Sequence, residues 1–402
     1  MKIGKFAKTY QLTIDSVRHY MEMGLLLPEK DGSQYHFDEY CCDDIGDILD
    51  LKESGFRLDE IRDILYLKRL STPITYEKNK YYKKMYATKH KEITQEIKAL
   101  QQIESKLSRK MDEISAASFP YREHLGMDVN ALSLLACPEC RSRFILKDSE
   151  IRDNLIISGA LHCNCGRSFA IEDGIIRSDK STHMENPFGN DIEKFFLNYL
   201  KHSSSAFIHA LTSDFRWLSR RFKQDVHHNS VILELGIGYG VFLRNVYECL
   251  SDSNIYIAVD HNISILRSLR EMLRRIHPNK MIVLICADSL DLPLQPNVVD
   301  VLIDAGGNAT RNTALFPETD QYMKEHSIIL GSYITHPPSN RKAEYHTGNR
   351  VTLEEIRENI NQINYSVYEE RASKEMAPSG DEYAIHADEG SKVSTYVCAL
   401  KR

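Results

Sequence analysis

The stretch VILELGIGYG, residues 231–240, decides how the carboxy-terminal half of the chain is read. Apolar residues on either side of Glu234 form a strand, and Gly236, Gly238 and Gly240 follow at alternate positions before VFLRNV resumes a helical pattern. With no Cβ atoms in the way, a strand-to-helix turn of this kind lets backbone amides approach a ligand closely. A dinucleotide loop of the form G-x-G-x-x-G requires a further glycine at position 241, which is Val241. The turn therefore reads as a nucleotide-cofactor loop of another kind.

The residues downstream agree. IYIAVDHN is a second buried strand ending in Asp260, where a carboxylate can accept hydrogen bonds from both hydroxyls of a ribose. MIVLICADSLDLPL is a third, with Asp288 and Ser289 just past its apolar run. VVDVLIDAGG is a fourth, whose end carries Asp304, Gly306, Gly307 and Asn308 to the carboxyl edge of the sheet. SIILGSYITH, YSVYEE and STYVCALKR supply three more strands, with LEEIRENINQIN as a helix among them. The E-x-G-x-G-x-G run and its two spaced acids resemble the S-adenosylmethionine (SAM) methyltransferases. That resemblance implies a Rossmann-like α/β domain of seven strands over residues 188–402. It also implies a SAM site built from Glu234, Gly236, Gly238, Gly240, Asp260, Asp288 and Ser289, with Asp288 beside the adenine amino group.

Methyl transfer asks the protein mainly for positioning, and for a base only where the acceptor must lose a proton. Asp304, His326, Tyr333 and His336 are the candidate bases or substrate contacts. The fourth strand ends in neither an NPPY-type tetrad nor a Pro-Cys pair, which disfavours a nucleic-acid base as acceptor. Ahead of this region, NDIEKFFLNYLKHSSSAFIHALTSDFRWLSRRF carries aromatic residues at helical spacing, read either as core or as a lid over the cofactor.

Nine cysteines, an odd number, with four of them in one short region, argue against a disulfide framework. Cys137 and Cys140 form CPEC and Cys163 and Cys165 form CNC, two knuckles able to offer four thiolates to Zn2+, with His162 as an alternative donor. LLACPEC followed by ALHCNCGRSFAIEDGI resembles the zinc ribbons of the tRNA-methyltransferase activator family, which implies a small β zinc ribbon at residues 130–180. Four thiolates leave no open coordination position, so the metal's expected role is support.

The amino-terminal third reads as short helices. KIGKFAKTY is followed by IDSVRHYMEMG, with Thr13 or Asp15 as its cap and Gly24 as its stop. LLLPEKDGSQYHF makes a wing, and DEYCCDDIGDILDLKESGF and RLDEIRDILYLK are two further amphipathic helices. IGKFAK, VRHYMEMGLL, QYHFDEY and LKESGFRLDEIRDIL, in this order, resemble the MerR regulators, which implies a winged helix-turn-helix DNA-binding domain at residues 1–72. The resemblance implies that Thr13, Ser16, Arg18, His19 and Tyr20 face the major groove and that Tyr35, His36 and Arg57 touch phosphates. Residues 1–40 hold five Lys and Arg against six Asp and Glu, so nonspecific attraction to DNA is small. Lys78, Lys80, Lys83, Lys84 and Lys89, interleaved with tyrosines, are either a compensating basic patch or a solvated helix face. From Ile93 through Ile97, Leu100, Ile103, Leu107 and Met111 to Ile114, apolar residues recur at steps of three and four. The stripe marks a coiled-coil helix at residues 76–118, which in MerR regulators pairs with its copy in a homodimer.

The chain thus reads as multidomain. Its 42% apolar content suffices for packed cores, its start, MKIGKFAK, lacks a signal-peptide core, and no apolar run is long enough to cross a bilayer; the expected location is cytoplasmic, with no membrane partner. The expected function is a regulator of promoter DNA, acting on RNA polymerase indirectly, that binds and methylates a small, toxic or antibiotic molecule. A non-catalytic sensor of SAM or a drug is the competing reading, and an RNA or protein methyltransferase is a third.

Overall fold

The computed structural model describes residues 1–32, 34–70, 75–116, 121, 125–178, 192–276, 280–305, 315–337, 351–377 and 392–402. They fall into two compact units, Met1–Ser118 and Phe119–Arg402.

In the first unit, α1 (Ile3–Thr9) and α2 (Ile14–Glu22) are followed by the hairpin β1 (Glu29–Asp31) and β2 (Gln34–His36), then α3 (Glu39–Glu53), α4 (Leu58–Leu70) and the long α5 (Thr75–Ser115). Thr13 caps α2 by accepting from the Ser16 amide at 3.0 Å, and Asp38 caps α3 through the Cys41 amide at 2.9 Å. Gly24 ends α2 at φ +74°, a conformation that favours glycine. Phe6, Val17, Leu25, Phe37, Ile45, Ile48, Ile61 and Leu65 close one core among these helices. Arg69, near the end of α4, ties α2 to α3: it donates to the Gly24 and Leu25 carbonyls at 2.8 and 2.5 Å and pairs with Asp44 at 2.7 Å.

The second unit is one sheet of twelve strands among the described residues. β3 (Met127–Asp128), β4 (Ile145–Arg152), β5 (Leu155–His162), β6 (Ser168–Glu172) and β7 (Ile175–Ser178) come first, then α6 (Ile192–His202) and α7 (Ser205–Asp225). There follow β8 (Val231–Leu235), α8 (Val241–Val246), β9 (Ile255–Asp260), α9 (Ile263–Leu273), β10 (Met281–Cys286) and β11 (Val299–Asp304). Last come α10 (Leu315–Thr319), β12 (Met323–Thr335), α11 (Leu353–Asn361), β13 (Ser366–Ala372) and β14 (Ser394–Lys401).

Strands β10, β9, β8, β11 and β12 lie side by side and parallel, the doubly wound order, and β14 enters antiparallel between β12 and β13. The seven strands expected from the sequence are all present. Both faces are covered, as parallel strands require: Leu233 and Leu235 of β8 belong to one core and Ile232 to the other.

Two expectations change. The cysteine-bearing strands do not stand apart as a small domain, because β7 pairs in parallel with β10 and the β5–β6–β7 meander extends the same sheet. An unpaired β10 edge would expose a row of backbone donors and acceptors, and β7 covers it. The aromatic stripe of α7 is core and not a lid: Trp217, Leu218 and Phe222 are buried with Phe242, and the Trp217 indole donates to Glu369 at 2.9 Å. The side chains of Phe195 and Phe196 lie outside the described residues.

Candidate cofactor, metal and DNA sites

The strand order reverses between β8 and β11, and in such sheets the crevice at the carboxyl ends of the two diverging strands is where ligands sit. The glycine turn leaves β8 at this point. Gly236, Gly238 and Gly240 have φ of +60°, +52° and +70°. A Cβ on Gly240 would lie 2.7 Å from Leu269 Cδ1, so that glycine is needed for packing against α9. A Cβ on Gly238 would meet nothing nearer than the Gly236 carbonyl at 4.0 Å, which leaves open space over the turn for a ligand.

Asp260, at the end of β9, holds the turn in shape. Its two carboxylate oxygens accept from the Gly238 amide at 3.0 Å and the Asn262 amide at 2.9 Å. A carboxylate accepts about four hydrogen bonds, so two backbone amides leave capacity for two hydroxyls. Glu234 lies beneath the turn, buried, and accepts from the Tyr256 hydroxyl at 2.5 Å. Burial pushes its carboxyl up to about 8, opposed by the Tyr256 hydrogen bond and reinforced by the nearby Asp304 and Asp260 charges. Asp288 is exposed in the turn after β10, where one oxygen accepts from the Leu290 amide at 2.9 Å and the other retains lone pairs for a ligand amino group; Ser289, half-buried, follows it. The tertiary structure thus collects the glycines, Asp260 and Asp304 at one sheet edge, with Glu234 supporting them from below.

The candidate bases separate. Asp304 is fully buried at the end of β11. Tyr333 is buried between Tyr396 and Phe316, and burial, then the Asp304 charge, push its phenol well up, so it cannot act as a phenolate base near neutrality. His336 is buried just past β12, its amide donating to the Val351 carbonyl at 2.9 Å. His326 sits near the start of β12 beside Ser230, Asp300 and Arg402, at the opposite edge of the sheet, and is removed from the candidates. Gly306, Gly307 and Asn308 lie outside the described residues.

The sulfurs of Cys137, Cys140, Cys163 and Cys165 all lie within 4.8 Å of one another. Tetrahedral Zn–S bonds of about 2.3 Å separate sulfurs by about 3.8 Å, so the donor set and its spacing fit zinc. His162, paired with Ile145 across β4 and β5, is not one of the four.

On the amino-terminal unit, Arg18 and His19 are exposed on α2, Arg18 paired with Asp15 at 3.2 Å. The Thr13 and Ser16 side chains serve the cap, 2.8 Å apart. Tyr20 points the other way. Its ring is core and its hydroxyl accepts from Lys52 at 2.9 Å, so it orients α2 and does not share the exposed face of Arg18 and His19. Tyr35 is exposed on the hairpin with Lys30 over its ring, His36 Nε2 lies 3.3 Å from the chain's amino group, and Arg57 pairs with Asp59 at 3.1 Å. Lys89 leaves the proposed basic patch: it is buried, paired with Glu60 at 2.7 Å and set over the Phe56 ring. The side chain of Lys78 lies outside the described residues.

Residues 1–68 match the family model of the MerR HTH family regulatory proteins. The amino-terminal region is a MerR-type helix-turn-helix. The MerR match stops short of α5 and of everything that follows. No curated protein matches the chain. Among solved structures, the cyclopropane synthase MmaA2 from Mycobacterium tuberculosis is 12% identical, with a TM-score of 0.41 over 56% of this chain and 100% of that one. Geranyl diphosphate C-methyltransferase from Streptomyces coelicolor A3(2), in complex with S-adenosyl-L-homocysteine, is 10% identical, with a TM-score of 0.40 over 54% and 98%. Phosphoethanolamine N-methyltransferase 2 of Haemonchus contortus, in complex with SAM, is 12% identical, with a TM-score of 0.39 over 56% and 61%. At these values the likeness adds nothing to the strand order, which itself describes the fold of residues 231–401. No helix among the described residues is long and apolar enough to cross a membrane.

Proposed function

We propose that the chain is a cytoplasmic, homodimeric MerR-type regulator of promoter DNA whose second unit binds SAM and methylates a small molecule. The observation that carries the cofactor reading is the turn of Gly236–Gly240 at the switch point, held by the Asp260 carboxylate, which keeps acceptor capacity for a ribose. Bound SAM supplies an activated methyl group. The chain's residues would hold it: the glycine turn would admit the methionyl portion, Asp260 would orient the ribose, and Asp288 with Ser289 would hold the adenine edge. Asp304, buried at the end of β11, would receive a proton or orient the acceptor, and His336 would be a second substrate contact. Tyr333 would remain a neutral phenol, its ionisation opposed by burial and by the Asp304 charge. Zinc on the four cysteines has a supporting role, with no coordination position left for substrate.

The dimer rests on α5. Along it, Ile93, Ile97, Leu100, Ile103, Leu107, Met111 and Ile114 are between 38% and 68% exposed, an apolar stripe longer than an isolated helix leaves in water. A second copy covering that stripe would give a two-fold protein for a pseudo-palindromic operator. A toxic compound bound in the second unit would be methylated while its binding biases the dimer on DNA, which links detoxification to expression.

Incubation of the purified protein with methyl-labelled SAM and a panel of small molecules tests the enzyme. Label recovered in a small molecule supports it. Binding of SAM together with promoter DNA, and no label in any acceptor, replaces it with the sensor reading. Label in RNA or protein moves the acceptor class.

A further inference from the structure

The two cysteine knuckles are anchored to the segment that carries Asp288. After the second knuckle, the Cys163 amide donates to the Arg167 carbonyl at 2.8 Å, closing the turn that holds Cys163 and Cys165. The Arg167 side chain, only 5% exposed, leaves this turn and pairs with the Asp291 carboxylate. It lies over the Phe169 ring at 5.2 Å and reaches the Ser178 hydroxyl at 3.4 Å. Asp291 closes the adenine turn from within, since its amide donates to the Asp288 carbonyl at 3.0 Å. Ahead of the first knuckle, the Ala136 amide donates to the Pro293 carbonyl at 3.2 Å, the Gln295 amide to the Leu134 carbonyl at 2.8 Å, and the Gln295 side chain to the Ser133 carbonyl at 2.8 Å. Residues 291–295 are therefore gripped from both sides of the four-cysteine cluster. A charge pair with its arginine buried and its carboxylate half-buried fixes geometry, because the guanidinium left without its partner would be an uncompensated buried charge.

We propose that Arg167 is a positioning residue for SAM, locking the Asp288 turn to the second knuckle so that metal on the cysteines and adenine in the cleft are bound cooperatively. The inference rests on the SAM and zinc readings given above and adds the residue that links them. Linkage makes the coupling reciprocal: zinc strengthens cofactor binding by the same factor by which cofactor strengthens zinc binding, here on the order of tenfold.

The test uses the full-length, zinc-loaded chain and two ligands, S-adenosylhomocysteine and S-inosylhomocysteine, in which a carbonyl replaces the adenine amino group. Titration calorimetry on the parent should show a preference for the adenine ligand of roughly tenfold or more, the size of a hydrogen bond to a charged acceptor. Arg167→Met should retain its zinc, measured by mass spectrometry, and lose most of that preference, and Arg167→Lys should restore part of it. An Arg167→Met protein with the parent's affinity and preference overturns the proposal. Should that variant fail to fold, chelator competition on the parent decides: zinc affinity that S-adenosylhomocysteine leaves unchanged overturns the coupling. If the zinc-loaded parent binds neither ligand, the SAM reading itself falls, an outcome seen before any substitution is made.

Discussion

Glu234→Gln isolates the acid beneath the glycine turn. Burial, reinforced by Asp304 and Asp260, holds this carboxyl at about 8 in the folded chain, against 4.5 for an ordinary glutamate. Between those values the native state keeps a proton that the unfolded chain has released. Stability from this group is therefore whole below about 4.5 and is lost as the pH rises through about 8, at about 1.4 kcal/mol per pH unit. From about pH 5.5 to about pH 7.5 the loss is roughly 3 kcal/mol. Glutamine keeps the shape, accepts from the Tyr256 hydroxyl, and does not titrate. Relative to the parent, the variant should thus gain roughly 3 kcal/mol over that interval, whatever its offset at the acid end. Urea unfolding followed by fluorescence of Trp217, the single tryptophan, reads the second unit alone. A difference in unfolding free energy that stays flat with pH would refute the account of Glu234 as a carboxyl kept neutral by burial.

Gly240→Ala should cost about 2–4 kcal/mol, combining a left-handed backbone at φ +70° with a methyl 2.7 Å from Leu269, and a lowered thermal midpoint for the Trp217 signal checks it. Cys163→Ser should leave less than one equivalent of zinc after dialysis, by elemental analysis, because three thiolates do not close a tetrahedral site. Leu100→Asp with Leu107→Asp should convert the dimer to monomer in sedimentation experiments without unfolding the amino-terminal unit, since both side chains are more than half exposed on α5. Tyr20→Phe should leave operator preference intact in DNA-binding assays, losing only the Lys52 hydrogen bond, whereas Arg18→Ala should alter it.

What the sequence determined by itself is whatever short-range pattern carries. The glycines of 236–240 demand positive φ, the Thr13 cap and the Gly24 stop bound α2, the stripe from Ile93 to Ile114 has helical period, and the paired cysteines mark a four-sulfur cluster. Each of these is set by residues a few positions apart. The sequence also singled out three acids, Glu234, Asp260 and Asp288, but not their different standings: one is buried beneath the turn, one holds the turn's amides, and one is exposed. Only the tertiary structure decided which faces meet. Tyr20 and the α7 aromatics have the spacing of either a binding face or a core, and burial against partners distant in sequence made them core. His326 and His336 lie ten residues apart on one strand's course, and strand direction sent them to opposite edges of the sheet. The same holds for the cysteine strands, which read as a separate ribbon until β7 is paired with β10 and Arg167 meets Asp291 across 124 positions of chain. No local periodicity encodes such a pairing, because it depends on how the whole sheet closes over its exposed edge.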